Sequence, residues 1–366
     1  MNHFLLFYVP LFTFHFSPFT SFPFFVKSKQ SALNKQLKIF LNYFLGPILF
    51  IWLSFSIYQQ ISNQKNLEES WMMIRSSFSG PRSLKLLTVF ILVFINYALE
   101  AGKWRMIQAS IQKVSFWKAF KAVLSGHAVA FNSINRIGDT AGRVLFLDEG
   151  NRLKGIALSF VGSMSLIIVH LVFGLLGMIY MRFNILDATH HVEGLSLFWM
   201  NGLMSMLTVG LSIFVLLFFR LSWLIRLLEK IPFVAKYRFV VENMESLRWQ
   251  FLTKVLFFSA VRYVLIVLQY VLLFEVFDVK LNFFDSAALV MVMFLVLTII
   301  PSITLAELGL RGNISIQLFG MLSNNTLGIV ATAAGIWIMN LIIPAIIGGF
   351  FLLGVRFFNR TIKEQI

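Results

Sequence analysis

The chain has 366 residues, a formal net charge of +15 and no cysteine. Hydrophobic residues make up 58% of it and charged residues only 13%, and the apolar residues form blocks too long for one face of a soluble helix. This composition is typical of membrane proteins, and it excludes a disulfide framework and a thiolate metal or redox site. The basic residues lie beside apolar blocks and not in a nucleic-acid module, so we expect no nucleic-acid partner.

Residues 1–33 form an apolar extension that is interrupted by Pro10, Pro18 and Pro23. Proline inside a helix removes a hydrogen-bond donor, so a regular helix is not expected here. The basic start and small-residue cleavage site of a signal peptide are also missing. Two interpretations stay open: a poorly ordered extension, or a start-site artefact that places the true beginning near Asn34. Residues 34–366 are expected to form a single transmembrane domain.

Apolar blocks of spanning length follow, since a helix needs about 20 apolar residues to cross a bilayer. Seven blocks lie near residues 39–58, 84–107, 155–181, 197–219, 255–277, 286–306 and 327–354. The 44 residues from Gly312 to Val355 carry no formal charge, which is too long for one crossing, and Ser323–Asn325 is a polar turn signal. We therefore predict a short helix over about Leu305–Leu322 and a long one after Thr326.

The connections fix the predicted orientation. Residues 103–154 carry nine Lys or Arg against three acids and residues 220–254 carry seven against three, which predicts cytoplasmic segments. The segment from Asn184 to Gly194 has no Lys or Arg and is expected on the opposite side. The sequence thus predicts an all-α polytopic protein of the cell inner membrane with about eight transmembrane helices and both termini cytoplasmic.

One cytoplasmic segment, "AFKAVLSGHAVAFNSI", is apolar but only about half as long as a span. It fits a surface-lying amphipathic helix or, better, a re-entrant hairpin that enters near Ala119 and returns through Gly138–Leu147. The prediction therefore includes one or two re-entrant or broken segments, which membrane proteins tolerate only where protein or water covers the backbone.

Two charged motifs share one spacing. Asp139 precedes Arg143 by four residues and Glu307 precedes Arg311 by four, which places each acid and arginine on one helix face. An unpaired charge beside the membrane costs roughly 3 kcal/mol or more, so pairing matters there. Each motif also carries small residues that let helices approach closely, and prolines at 301 and 344 flank the second motif. Interrupted polar segments in both halves of a membrane protein indicate a transporter-like central site.

We therefore hypothesise that Arg143 and Arg311 converge on a polar cavity that accepts an anionic headgroup, while Asp139 and Glu307 hold the arginines until it arrives. The planar guanidinium suits phosphate because it donates paired hydrogen bonds. The alternative is purely structural: one pair ends a loop and the other locks two helices.

The remaining polar residues give weaker signals. His127 and His170 lie in apolar surroundings, where hydrogen-bonded core histidines are common. Arg262 lies about two turns inside its block and is expected to extend its side chain to the interface. Glu100, Lys103 and Arg105 resemble a helix end anchored by Trp104 at the headgroups. No Walker loop, dinucleotide motif or zinc helix is present, so we expect no catalytic residue, no metal site, no cofactor and no enzyme activity.

Three segments, "NYALEAGKWRMI", "NSINRIGDTAGRVLFLDEGNRLKGIALSFVGSM" and "PSITLAELGLRGNISIQLFG", resemble signatures of the lysylphosphatidylglycerol synthase transmembrane region, a flippase-like family. The resemblance covers roughly residues 34–360. It departs from the family where Gly142 directly adjoins Arg143 and where uncharged "VGSMS" replaces a Glu-Arg pair. The substrate-binding residues that it implies are Asn132, Gly138, Asp139, Gly142, Arg143, Pro301, Glu307, Gly309, Arg311 and Gly312.

The resemblance implies binding and translocation of a membrane lipid with an anionic or polyprenyl-linked headgroup. The family's soluble aminoacyl-transfer domain has no counterpart in the sequence, so we expect no synthesis of lysyl lipid. Two alternatives stay open: a non-transporting scaffold or accessory subunit for a lipid- or glycan-synthesis enzyme, and an intramembrane transferase, although no dedicated base or nucleophile is visible for the latter.

Overall fold

A computed structural model describes residues 80–130, 137–186, 197–230, 238–300 and 304–354, together with Met72 and Ser133. The extension over residues 1–33, the predicted span near 39–58, Asn132 and Pro301 lie outside these described residues, as does the side chain of Glu307. The helices are the regular secondary structure of the described part, which contains no strand, and this confirms the all-α prediction for that part.

We number the helices in chain order. They are α1 (Pro81–Gln108), α2 (Phe116–Ala130), α3 (Ile137–Val144), α4 (Arg152–Asn184), α5 (Leu197–Phe219), α6 (Leu221–Glu229), α7 (Arg238–Glu245), α8 (Trp249–Val276), α9 (Phe283–Ile299), α10 (Thr304–Phe319), α11 (Thr326–Trp337) and α12 (Ile343–Leu353). A 3₁₀ turn over Glu149–Asn151 precedes α4, and a π-helical segment over Ile338–Ile342 joins α11 to α12.

Five stretches of the described chain are long and apolar enough to cross a membrane. They correspond to α1, α4 with the preceding turn, α5, α8, and the continuous stretch from α11 to α12. Helix α9 is apolar but has only 17 residues. Large apolar side chains on α5 face outward, with Phe198 79% exposed and Met206 75% exposed. A surface of this kind suits lipid and not water, so the chain is built for membrane embedding.

The predicted division of the C-terminal apolar run into a short and a long helix is confirmed, because α10 ends at Phe319 and α11 begins at Thr326. Asn325 caps α11 by accepting a hydrogen bond from the backbone N–H of Gly328 at 2.9 Å. The side-chain amide of Asn325 also donates to the carbonyl of Phe277 at 3.1 Å, so the turn before α11 lies beside the end of α8.

Helices α2 and α3 form an antiparallel hairpin around Ser133, whose hydroxyl accepts a hydrogen bond from the N–H of Gly138 at 2.9 Å. Glycines make the contact: a Cβ on Gly142 would lie 2.8 Å from the Cα of Gly126, and a Cβ on Gly138 would lie 2.5 Å from the carbonyl oxygen of Val129. The small residues of the first motif therefore do let two backbones approach closely.

The hairpin is buried in protein. Most of the C-terminal half of α2 is buried, and Gly348 of α12 packs directly against the backbone of Leu124. Helix α2 has 15 residues and α3 has 8, so neither reaches across a hydrocarbon layer about 30 Å thick. These lengths are compatible with a re-entrant segment, which stays a prediction.

Candidate functional site

A buried carboxylate, that of Glu100 on α1, gathers three cations. Glu100 is 5% exposed. Arg143 of α3 donates to its Oε1 at 2.5 Å, and Lys103 donates to its Oε2 at 2.9 Å. The guanidinium of Arg262 on α8 also donates to Oε2. One acid thus compensates cations from three helices that would be very costly to bury alone.

Arg143 is held by a second acid, as the four-residue spacing predicts. Its Nε donates to Oδ1 of Asp139 at 3.0 Å, and its Nη2 donates to Oδ2 at 2.6 Å, a bidentate pair. Burial lowers the pKa of Arg143, but the negative charges of Asp139 and Glu100 outweigh burial and raise that pKa above its ordinary value. Arg143 therefore remains a permanent cation, and all three of its guanidinium nitrogens donate to carboxylates.

Arg311 on α10 is also buried, with 8% exposure. Its Nη1 donates to the hydroxyl of Tyr270 at 2.8 Å, and its guanidinium carbon lies 5.5 Å from the ring centroid of Phe294, a cation–π distance. Within the described part, a Cβ on Gly309 or Gly312 would meet no atom within 4 Å. The expectation that these glycines allow close helix approach is therefore wrong for their described neighbours, because α10 is not pressed against another backbone there.

A cavity of about 100 Å³ lies where α1, α2, α8, α9, α10 and the last span meet. Its lining combines polar groups with an apolar wall and, among the described residues, includes no acid. The lining residues are Asn96, Tyr97, His127, Arg262, Ile266, Phe294, Arg311, Ile336, Trp337, Asn340 and Leu341. The cavity is thus bordered by two guanidiniums from two different helices, Arg262 on α8 and Arg311 on α10.

Arg262, and not Arg143, shares this cavity with Arg311. Arg143 is not among the lining residues, since its guanidinium is turned toward Asp139 and Glu100. The structure therefore corrects the predicted pairing of Arg143 with Arg311 around the cavity. Neither arginine faces open solvent, however, because their exposures are 7% and 8%.

His127 links the first motif to the cavity. Its Nδ1 lies 3.1 Å from the carbonyl oxygen of Val123 and 3.3 Å from Oδ1 of Asp139, while its ring lines the cavity. Both neighbours are acceptors, so Nδ1 carries a hydrogen. Asp139 is thus connected to the cavity through His127, whereas its other partner, Arg143, does not line the cavity.

A break in the last span shapes the opposite wall. Pro344 has no N–H to offer the carbonyl of Asn340 four residues earlier. The hydroxyl of Tyr97 donates to that carbonyl at 2.6 Å, and the backbone passes through the π-helical segment at this point. The proline leaves this carbonyl without its usual helical donor, and the hydroxyl of Tyr97 supplies a donor instead. π-Helical turns of this kind are frequent at functional sites.

Two expectations about interfacial residues are wrong. Arg262 does not reach the interface, because it is 9% exposed and bound to Glu100 and Asn96 inside the helix bundle. Trp104 does not anchor a helix end at the headgroups, because it is 1% exposed, and Lys103 beside it is 2% exposed. The sequence signal for the missed site was an acid and an arginine inside two different apolar blocks, since such charges need a partner.

No group of three or more His, Cys, Asp or Glu side chains that could hold a metal ion occurs in the described part of the chain. Comparison with known protein families and with curated proteins gives no match. The resemblance to flippase-like proteins therefore stays a prediction, and a functional proposal has to rest on the cavity.

Proposed function

We propose that the protein binds the anionic headgroup of a membrane lipid in the cavity bordered by Arg262 and Arg311 and moves that lipid between the leaflets of the inner membrane. The observation that carries the proposal is the lining itself: two buried guanidiniums and no acid among the described lining residues. Guanidinium groups bind phosphate oxygens through paired hydrogen bonds.

Both arginines are held in place before a ligand enters. Glu100 and the side-chain oxygen of Asn96, at 2.9 Å, position Arg262, while Tyr270 and the ring of Phe294 position Arg311. A preorganised pair loses little conformational freedom on binding, so more of the interaction energy appears as affinity. The buried environment also strengthens attraction for an anion relative to water.

The architecture supports movement and not only binding. The proposed arrangement has eight passes, cytoplasmic termini and a re-entrant α2–α3 hairpin, with the cavity between that hairpin and the broken last span. Interrupted helices beside a central binding site are the elements that rearrange in many transporters. In this arrangement the lipid headgroup passes through the cavity while its chains stay in the bilayer.

A leaflet-exchange assay tests the proposal. The purified protein is reconstituted into phosphatidylcholine vesicles that contain a trace of tail-labelled phosphatidate, phosphatidylglycerol or phosphatidylcholine, and dithionite quenching follows the label. We expect exchange of at least one anionic lipid to exceed that of phosphatidylcholine. Arg311→Lys keeps the charge but loses the planar fork, and it is expected to slow exchange about tenfold, equivalent to ~1.4 kcal/mol.

Arg105→Lys is the matched control, because Arg105 is exposed and outside the cavity. It should leave exchange unchanged. If the wild-type protein binds an anionic lipid but exchanges none faster than phosphatidylcholine, the scaffold alternative replaces translocation.

A further inference from the structure

Helix α6 follows α5 directly and exposes aromatic and basic side chains on one face. Trp223, Arg226 and Leu227 are exposed on the helix, and Arg220 and Lys230, which are exposed as well, flank its two ends. We propose that these five residues, the α6 surface, bind the headgroups of anionic phospholipids in the cytoplasmic leaflet. None of them lines the cavity, so this contact is separate from the proposed function.

The opposite face of α6 fixes the depth of the helix. Leu221 is 3% exposed and Ile225 is 2% exposed, and both belong to an apolar cluster near the ends of α1, α4, α5 and α8. The cluster members at these ends are Ile107, Leu158, Phe218 and Leu252. These ends adjoin the basic connections that are predicted to be cytoplasmic. Helix α6 therefore lies where the spanning helices end, at the predicted cytoplasmic boundary of the bilayer.

The exposed face carries apolar and basic groups side by side. Trp223 and Leu227 are one helical turn apart, and they are 60% and 58% exposed. Arg226 follows Trp223 by three residues, which places its side chain beside the tryptophan on the same face. Lys230 has the same spacing from Leu227. The guanidinium carbon of Arg220 lies 5.2 Å from the ring centroid of Trp223, a cation–π distance.

This combination suits the headgroup layer. Tryptophan and leucine would be poorly solvated in water and the cations poorly solvated in hydrocarbon, whereas the interface accommodates both. Residues 220–230 carry three cations and one acid, Glu229, whose side chain lies outside the described residues. The segment stays positive even when that acid is counted in full. Positive charge attracts phosphatidylglycerol, which carries a net negative charge, more than neutral phosphatidylcholine.

A site-specific label tests this contact, because the chain contains no cysteine. Leu227→Cys carries a bimane fluorophore, and the full-length protein is reconstituted into phosphatidylcholine vesicles with equal small fractions of nitroxide-labelled phosphatidylglycerol or phosphatidylcholine. Quenching compares the local concentrations of the two labelled lipids. We expect phosphatidylglycerol to be enriched about fivefold at low salt, and to lose this enrichment in about 1 M salt, where the screening length is about 3 Å.

Charge variants identify the groups that select the lipid. Arg226→Gln combined with Lys230→Gln should lower the enrichment of phosphatidylglycerol toward one, while quenching by phosphatidylcholine persists. The matched control, Lys113→Gln combined with Lys118→Gln, removes two exposed lysines on the same predicted side of the membrane. It changes the net charge equally and should keep the enrichment of the labelled parent protein.

A second label position shows whether the protein is inserted. Ile213→Cys on α5, where the native side chain is 55% exposed, should be quenched equally by both lipids because α5 contains no charged residue. Quenching at position 213 but not at position 227 would show that water or a protein partner covers the α6 surface, and the proposal would be wrong. Equal quenching at position 227 by the two lipids at low salt would overturn the selectivity for anionic headgroups.

Discussion

Glu100 determines whether three cations can remain buried in this helix bundle. Glu100→Gln keeps the shape of the side chain but removes the charge that Lys103, Arg143 and Arg262 share. Breaking a buried ion pair in this way costs about 3–5 kcal/mol. We expect a large loss of thermal stability, measured by fluorescence-detected unfolding of the purified protein in detergent.

Glu275→Gln is the control for that measurement. Glu275 also pairs with a lysine, Lys85, but their side chains are 50% and 45% exposed. Exposed ion pairs contribute only about 0–1 kcal/mol. Equal stability losses in the two variants would show that Glu100 is not the centre of the cluster.

Arg143 and Arg311 should respond differently to the same substitution. Arg143→Lys breaks a bidentate contact with Asp139 and a contact with Glu100, and hydrogen bonds to charged groups contribute about 1.5–3 kcal/mol each. We expect lower stability with lipid affinity changed less. Arg311→Lys should reduce affinity more than stability. Titration calorimetry and thermal unfolding on both variants check this contrast, and the reverse order would place Arg143 at the ligand.

An ion pair can be predicted from sequence when its two residues lie close together in the chain. The Asp139–Arg143 pair was predictable because both residues lie on one helix four positions apart. The Arg262–Glu100 pair joins residues 162 positions apart, so no local spacing reveals it. For an Arg262 side chain without a partner, extension to the interface has a lower free energy than burial. The buried acid that changes this balance becomes visible only when α1 and α8 are packed together.

Among the secondary-structure elements, the α2–α3 hairpin depends on glycine. A Cβ on Gly126 would lie 2.5 Å from Oδ1 of Asp139 and 2.7 Å from Cγ of Arg143. Gly126→Val should therefore separate the two helices and displace the ion pair, with a cost of about 1–3 kcal/mol or more. Reduced thermal stability and yield of folded protein would report this. Gly202→Val on α5 is the control, because a Cβ there meets no described atom within 4 Å.

The break in the last span can be tested with a double-mutant cycle. Tyr97→Phe removes the hydroxyl that donates to the carbonyl of Asn340, and an unsatisfied buried carbonyl costs about 1–3 kcal/mol. Pro344→Ala restores a backbone N–H that can serve the same carbonyl. Tyr97→Phe should thus destabilise less in the Pro344→Ala background than in the wild type. Equal losses in thermal unfolding would show that the tyrosine does not compensate for proline.

The ends of helices could be predicted from sequence more readily than interruptions within a helix. The polar turn at Ser323–Asn325 and the shortness of the apolar run in α2 were readable because length and polarity are local properties. The π-helical segment over Ile338–Ile342 was not, since its sequence is apolar throughout apart from Asn340. A proline shows that a carbonyl is released, but only the packing of α1 against this span shows which group binds it.

For the whole molecule, the expected topology rests on which helix ends meet. The loop over residues 220–254 is basic and is predicted to be cytoplasmic, so α8 runs from the cytoplasmic side and ends on the opposite side at Val276. Asn325 binds the carbonyl of Phe277, which places the turn before α11 at that same end. Helices α9 and α10 therefore leave and return to one side.

The return of α9 and α10 to the same side of the membrane determines the predicted number of passes. Helix α10 has 16 residues, about 24 Å, which is shorter than a hydrocarbon core of about 30 Å, and α9 is similarly short. Local thinning of the bilayer accommodates short helices, so α11 is predicted to start on the external side and the long final span is predicted to end in the cytoplasm. Reporter fusions after His190 and Ser323 should be external, and those after Asn151 and Arg360 internal. An external reporter after Arg360 would contradict the eight-pass arrangement, because the span from Thr326 to Leu353 would then begin on the cytoplasmic side.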